Sequence, residues 1–262
     1  MTAPALSTRS LAKRFGSLVV AEDIAIELPA GARHALIGPN GAGKTTLINL
    51  MTGMLQPDAG RIFLGDDDIT VLPPDDRVRR GLVRTYQINS LFPHLTALES
   101  ATLVVCERRR VAENWWRQLP AYSEEIDEAY DILSALTLAA VCHRVTRELP
   151  YGQQRLLEIA LALATRPKVL LLDEPAAGVP RDESKDLFAA IEGLSRDISV
   201  LFIEHDMDLV FRFASRVIVM VGGRVLVEGT PAEIAADPRV RAVYLGKARG
   251  GALQQALSGS SP

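Results

Sequence analysis

The chain has 262 residues, 48% of them hydrophobic and 23% charged, the composition of an ordinary globular protein with room for one large domain or a domain carrying a subdomain. A net charge of −3, from 29 Lys and Arg against 32 Asp and Glu, argues against nucleic-acid binding through bulk positive charge; the dense basic run Arg108, Arg109 and Arg110 reads as a solvated helix face or a partner contact. The two cysteines, Cys106 and Cys142, lie far apart without metal-ligand spacing, so neither a disulfide framework nor a zinc site is indicated and a reducing compartment fits.

In chain order, the stretch from Leu6 to about Glu27 is expected to form an antiparallel β portion, and Ala35–Ile37 a buried strand. A Gly-rich loop and a helix through Leu47, Ile48, Leu50 and Met51 come next, then a second β pair around Arg61–Leu64. From about Ile88 to Leu149 β-branched runs are scarce, and Glu124–Leu138 carries Ile126, Tyr130, Leu133 and Leu136 at helical spacing, so this stretch reads as a helical insertion. The apolar runs Val169–Leu172, Val200–Ile203 and Val217–Val221, separated by helical patterns, predict repeated βα units around a buried parallel sheet. The end of the chain, from Lys247, is rich in Gly, Ser and Ala and is expected to fray. Met1–Ser7 lacks a basic region followed by an apolar stretch, and no segment approaches the ~20 apolar residues a membrane helix needs; any membrane role is expected to come through a partner.

Two motifs carry chemistry. Gly38, Pro39, Asn40, Gly41, Ala42, Gly43, Lys44, Thr45 and Thr46 follow a strand and open a helix, a context in which backbone N–H groups converge on an anion, Lys44 reaches the β- and γ-phosphates and Thr45 ligates Mg²⁺. The run Val169–Leu172 ends in Asp173 and Glu174, placing one carboxylate to hold the Mg²⁺ shell and the next to polarise an attacking water at the edge of an open sheet.

Three further elements complete an order. Gln87 follows Arg84-Thr85-Tyr86, the run Leu149-Pro150-Tyr151-Gly152-Gln153-Gln154-Arg155 opens a helix before Asp173, and His205 stands in Ile203-Glu204-His205-Asp206. From Leu6 to about Leu245 the chain resembles the ATP-binding subunits of ABC transporters. The resemblance implies an α/β fold, a P-loop NTPase core with an N-terminal antiparallel β portion and an inserted helical subdomain near 88–150, within a domain of residues 1–247 followed by a flexible tail at 248–262. It implies that Phe15 stacks on adenine, that Gly38 to Thr46 hold the phosphates of ATP, and that Gln87 senses Mg²⁺ and the attacking water. It further implies that Asp173 belongs with Thr45 and Gln87 to the Mg²⁺ shell, that Glu174 is the catalytic base and that His205 contacts the γ-phosphate. Leu149 to Arg155, with Tyr151, Gly152 and Gln153, then resembles the signature that closes over nucleotide on the opposite subunit.

Within the family, Leu91-Phe92-Pro93-His94-Leu95-Thr96, Asp173-Glu174-Pro175-Ala176-Ala177-Gly178 and the C-terminal run from Glu228-Gly229-Thr230-Pro231 to Tyr244-Leu245-Gly246 resemble subunits of branched-chain and other hydrophobic amino-acid importers. Importers of urea, amides or aromatic acids share much of the pattern, and an exporter or a soluble ABC ATPase stands as the alternative. The implied partners are transmembrane permease subunits docked near Gln87 to Leu95, a second ATP-binding subunit in a heterodimer and, indirectly, a periplasmic solute-binding protein, with no nucleic acid; the implied place is the cytoplasmic face of the bacterial inner membrane. Two residues depart from the pattern: Pro150 stands where the signature generally has serine, and Val179-Pro180-Arg181 replaces a segment that usually offers Asn or Asp to the other subunit.

Overall fold

The computed structural model describes residues 3–85, 92–111 and 122–245. Gln87 and the expected tail at 248–262 therefore lie outside the described residues. The elements run β1 (Leu6–Phe15), β2 (Leu18–Leu28), β3 (Arg33–Ile37), α1 (Lys44–Thr52), β4 (Ala59–Leu64), β5 (Asp67–Asp68), α2 (Pro74–Arg79) and β6 (Leu82–Arg84). Beyond these lie α3 (Ala97–Arg109), α4 (Ser123–Ala135), α5 (Tyr151–Ala164), β7 (Val169–Asp173), α6 (Arg181–Glu192), β8 (Ser199–Ile203), α7 (Met207–Phe213), β9 (Arg216–Val221), β10 (Arg224–Gly229), α8 (Pro231–Ala236) and α9 (Pro238–Leu245).

One sheet, in the order β2-β1-β4-β5, is antiparallel, as expected for the N-terminal portion. The other runs β10-β9-β3-β8-β7-β6. Its strands pair in parallel except at one edge, where β10 lies antiparallel to β9. The apolar runs at β3, β7 and β8 are buried throughout because both faces are covered. Ala35, Ile37, Leu170, Leu172, Val200 and Phe202 face a core shared with the helices, whereas Leu36, Val169, Leu171, Leu201 and Ile203 face the antiparallel sheet and α1. α1 thus sits between the two sheets, with Leu47, Ile48, Leu50 and Met51 buried.

The helical insertion differs in detail from expectation. α4 ends at Ala135, because Thr137 adopts a left-handed φ of 60° and the Leu138 N–H closes back on the Leu133 carbonyl at 2.8 Å. Its buried face is Glu125, Ala129 and Leu133; Tyr130 is 45% exposed. Arg108 and Arg109 face this helix instead of solvent: Glu128 accepts from both, at 2.7 and 2.8 Å, and Arg109 also pairs with Glu124 and Glu125. Hydrogen bonding from Arg108 holds the Glu128 carboxyl far below the usual carboxylate range, at about 2.

Arg77 braces the element that carries the phosphate loop. Although α2 is short, this arginine is fully buried and donates to the carbonyls of Leu72, Leu50, Met51 and Thr70 at 2.9, 2.8, 2.7 and 2.8 Å. Leu50 and Met51 are in the last turn of α1, where carbonyls lack intrahelical donors and a cation is favoured. Burial pushes the guanidinium down to about 10. Arg77→Met leaves the Leu50 carbonyl only the Gly53 N–H at 3.2 Å and takes the side-chain donor from those of Met51, Thr70 and Leu72; it is expected to cost at least about 3 kcal/mol, read as a lower urea midpoint at unchanged slope, and an unchanged midpoint would show that the carbonyls find other donors.

Candidate nucleotide site

The site is assembled where strands of the parallel sheet end. β3 delivers the chain into the Gly-rich loop, and α1 begins at Lys44 with Gly43 at its cap, φ 100°. A Cβ at Gly43 would meet the Val20 carbonyl oxygen at 2.5 Å, and one at Gly38 would collide with that of Met220, so the backbone passes where side chains cannot. No side chain caps α1, and the first N–H groups of a helix have no intrahelical acceptor; they are donors aimed out of the helix end, where its dipole favours an anion.

Lys44 is 7% exposed, and its Nζ donates to the carbonyls of Gly38 at 2.7 Å and Pro39 at 3.2 Å. Desolvation lowers its pKa, against the charges of Glu174 and Asp173, which raise it. The cation of the phosphate loop and the two carboxylates at the end of β7 are therefore electrostatic neighbours, as the sequence pairing implied.

Asp173 closes β7, and its Oδ2 accepts from Arg84 Nη2 at 2.6 Å; Arg84 Nη1 donates to Asn49 Oδ1 at 2.7 Å. Arg84 ends β6, and Asn49 lies one turn beyond Thr45 on α1, so one guanidinium ties the strand that leads toward Gln87 to both motifs. Glu174 has left-handed backbone, φ 50°, uncommon for a residue with a side chain and typical of functional sites. Its Oε1 lies 2.7 Å from His205 Nε2, with the side chains 37% and 47% exposed. Phe15 ends β1 and is 52% exposed, with the Lys13 ammonium 5.8 Å from its ring centroid; it is not a core residue.

Tyr151, Gly152 and Gln153 form the first turn of α5, after Pro150 at its cap. Their contacts are with another segment: the Tyr151 hydroxyl donates to the Ala177 carbonyl at 3.1 Å and lies 3.2 Å from where a Gly178 Cβ would stand, and the Glu183 carboxylate occupies the place of a Gly152 Cβ. Pro150 and Pro180 therefore cap neighbouring helices, α5 and α6, neither with a side-chain hydrogen bond. The residues sequence reasoning missed are Arg84, Asn49 and Glu204; as charged or polar side chains beside known motifs they carry no periodic signal of their own.

The donor set suits a hard divalent cation, since Thr45 offers a hydroxyl and Asp173 a carboxylate. Among the described residues no group of three or more His, Cys, Asp or Glu could hold a metal ion.

A Gly-rich loop opening a helix between sheets, with adjacent acids at the end of a parallel strand that one further strand separates from the loop's own, is the arrangement of a P-loop ATPase. The description "ABC transporter" matches residues 21–177 and "Branched-chain amino acid ATP-binding cassette transporter" matches residues 224–249; the chain belongs to the ABC transporter family. It is 39% identical, over 95% of its length and 100% of the relative's, to the high-affinity branched-chain amino acid transport ATP-binding protein BraF of Pseudomonas aeruginosa. It is 37% identical, over 92% of its length and 96% of the relative's, to the lipopolysaccharide export system ATP-binding protein LptB of Acidithiobacillus ferridurans. Among solved structures it resembles the ADP conformation of MJ1267, an ATP-binding cassette of an ABC transporter, with a TM-score of 0.81, 32% identity and coverage of 94% of this chain and 100% of that one.

Proposed function

We propose that this chain is the ATPase subunit of an importer for branched-chain or related hydrophobic amino acids, working on the cytoplasmic face of a bacterial inner membrane. The observation that carries the hydrolytic reading is the Glu174–His205 contact at 2.7 Å beside the carboxylate of Asp173. For import, the support is the match at residues 224–249 together with the likeness to BraF. No helix among the described residues is long and apolar enough to cross a membrane, so force on a solute would pass through permease subunits.

In this reading Phe15 stacks on adenine, and Gly38 to Thr46 hold the phosphates through backbone N–H groups and Lys44. Thr45, Gln87 and Asp173 would hold Mg²⁺, which offsets phosphate charge when bound. Glu174 orients a water and takes its proton as the bond to the γ-phosphorus forms; ADP leaves, and the products are ADP and inorganic phosphate. His205 holds the Glu174 carboxylate through Nε2 and would turn that N–H to the γ-phosphate once nucleotide is bound. Tyr151, Gly152 and Gln153 face the nucleotide of a second subunit.

Pro150 and Pro180 make that second subunit a different chain. Neither proline offers a hydroxyl or an N–H to a phosphate, and each missing hydrogen bond to a charged group weakens closure by ~1.5–3 kcal/mol. The purified chain is expected to be monomeric and slow, and to accelerate with the permeases, the second ATPase and a solute-binding protein loaded with leucine. Stimulation by a urea- or amide-loaded binding protein instead would replace the solute, and full activity without any binding protein would favour export. A purified chain that dimerises with ATP and hydrolyses it as fast as the assembly would overturn the heterodimer.

A further inference from the structure

β7 and β8 pair in parallel up to Asp173 opposite Ile203, and the Glu174 N–H adds one more bond to the Ile203 carbonyl at 3.0 Å. There the backbone ladder stops, because Glu174 turns left-handed. Past that point the two strands carry the functional pair, Glu174 with its succeeding segment on one side and His205 on the other. The Glu204 side chain bridges the gap. Its Oε1 accepts from the Ala176 N–H at 2.9 Å and its Oε2 from the His205 N–H at 3.1 Å.

Glu204 is only 5% exposed. Burial raises its pKa and the two amide bonds lower it, with the nearby Glu174 charge adding to the rise. A buried carboxylate beside another acid is an expensive way to fill space. It is suited to accepting from amides on two separate segments, one per oxygen, with hydrogen bonds stronger than neutral ones.

We propose that Glu204 is a positioning residue that locks the His205 loop to the segment following Glu174, so that histidine and carboxylate keep the register hydrolysis needs. The proposal rests on the roles of Glu174 as base and His205 as its holder. It continues with a side chain what the β7–β8 ladder does with backbone, and it places the lock close to each partner it serves: next to His205 in sequence, and bonded to the backbone two residues past Glu174. Glu204 touches no reacting atom in this scheme and acts through His205.

Glu204→Gln is nearly isosteric, but its NH₂ confronts one of the two amide N–H groups, so one bond is lost. In the assembled transporter kcat is expected to fall about tenfold or more, since small misplacements of reacting groups are costly, while KM for ATP stays within about twofold. The decisive measurement is the cycle with His205→Ala. If Glu204 acts through the histidine, the double variant is no slower than His205→Ala alone by more than about twofold. Losses that multiply in the double variant would make Glu204 an independent structural residue and overturn the proposal, as would wild-type kcat in Glu204→Gln when His205→Ala is impaired. Wild-type turnover in His205→Ala would overturn the histidine's own role and the proposal with it. Glu204→Asp keeps the charge but is too short to span both amides; it is expected to show the same split between kcat and KM and serves as the second arm should the glutamine variant not fold.

Discussion

Glu174→Gln is expected to bind ATP as the unaltered chain does and to lose turnover by about 10²–10⁴-fold, the usual contribution of a general base. The carboxylate sits at the end of β7 on left-handed backbone, and its Oε1 is 2.7 Å from His205 Nε2. An amide of the same shape preserves the backbone bond to Ile203 and the fold around it. It cannot take the proton that water must lose, and it can present an N–H to His205 where an acceptor stood. The phosphate loop is untouched, so ATP binding survives and an ATP-bound dimer with the second subunit accumulates. Single-turnover and steady-state rates in the full assembly check this; turnover within about twofold of the unaltered chain would show that Glu174 does not abstract the proton.

The consequence for the second subunit comes from where Pro150 and Pro180 fall. They start α5 and α6 side by side, and Tyr151 reaches across to Ala177. On the proposed arrangement, the surface this chain would offer to a partner's nucleotide is altered at two adjacent helix ends at once, while the residues proposed for its own site, the phosphate loop, Glu174 and His205, keep the expected identities. An asymmetric pair, in which the site built on this phosphate loop is the faster one, is what this distribution supports.

What the sequence revealed depended on the range of the interaction. β3, β7 and β8 were legible because each holds a run of three or four apolar residues, buried on both faces, that leaves an unbroken signal, and the phosphate loop was legible because its glycines and Lys44 serve local geometry. β6 has three residues and β10 alternates only weakly, so neither stands out from its turns. Tyr130 fitted a helical period yet lies on the exposed side, since the buried face of α4 runs through Glu125, Ala129 and Leu133, with Glu125 paired to Arg109. Arg108 and Arg109 looked solvated because their partners lie on another helix. Arg77, Arg84 and Glu204 escaped for the same reason: each is a charge whose burial depends on carbonyls, amides or acids brought together only by the fold.

Lys44→Ala separates binding from chemistry in the other direction. Its ammonium is nearly buried, held by the carbonyls of Gly38 and Pro39, and close enough to Glu174 and Asp173 for their charges to raise its pKa against desolvation. A buried cation held, among the described residues, by neutral carbonyls is poised to exchange them for phosphate oxygens, which make stronger bonds to it. Backbone N–H groups and the dipole of α1 remain in the alanine variant, but partial charges do not replace a full one among acids. Losing two charged hydrogen bonds of ~1.5–3 kcal/mol each is expected to weaken ATP binding by more than about a hundredfold, at about 1.4 kcal/mol per tenfold. Calorimetric titration of the purified chain reads this directly, because binding to the phosphate loop does not require turnover. Lys44→Arg keeps the charge but carries a planar fork into a space shaped for a compact ammonium, and is expected to recover only part of the affinity. Unchanged affinity in Lys44→Ala would mean that ATP is held without this side chain, and the nucleotide site would have to be placed elsewhere on the molecule.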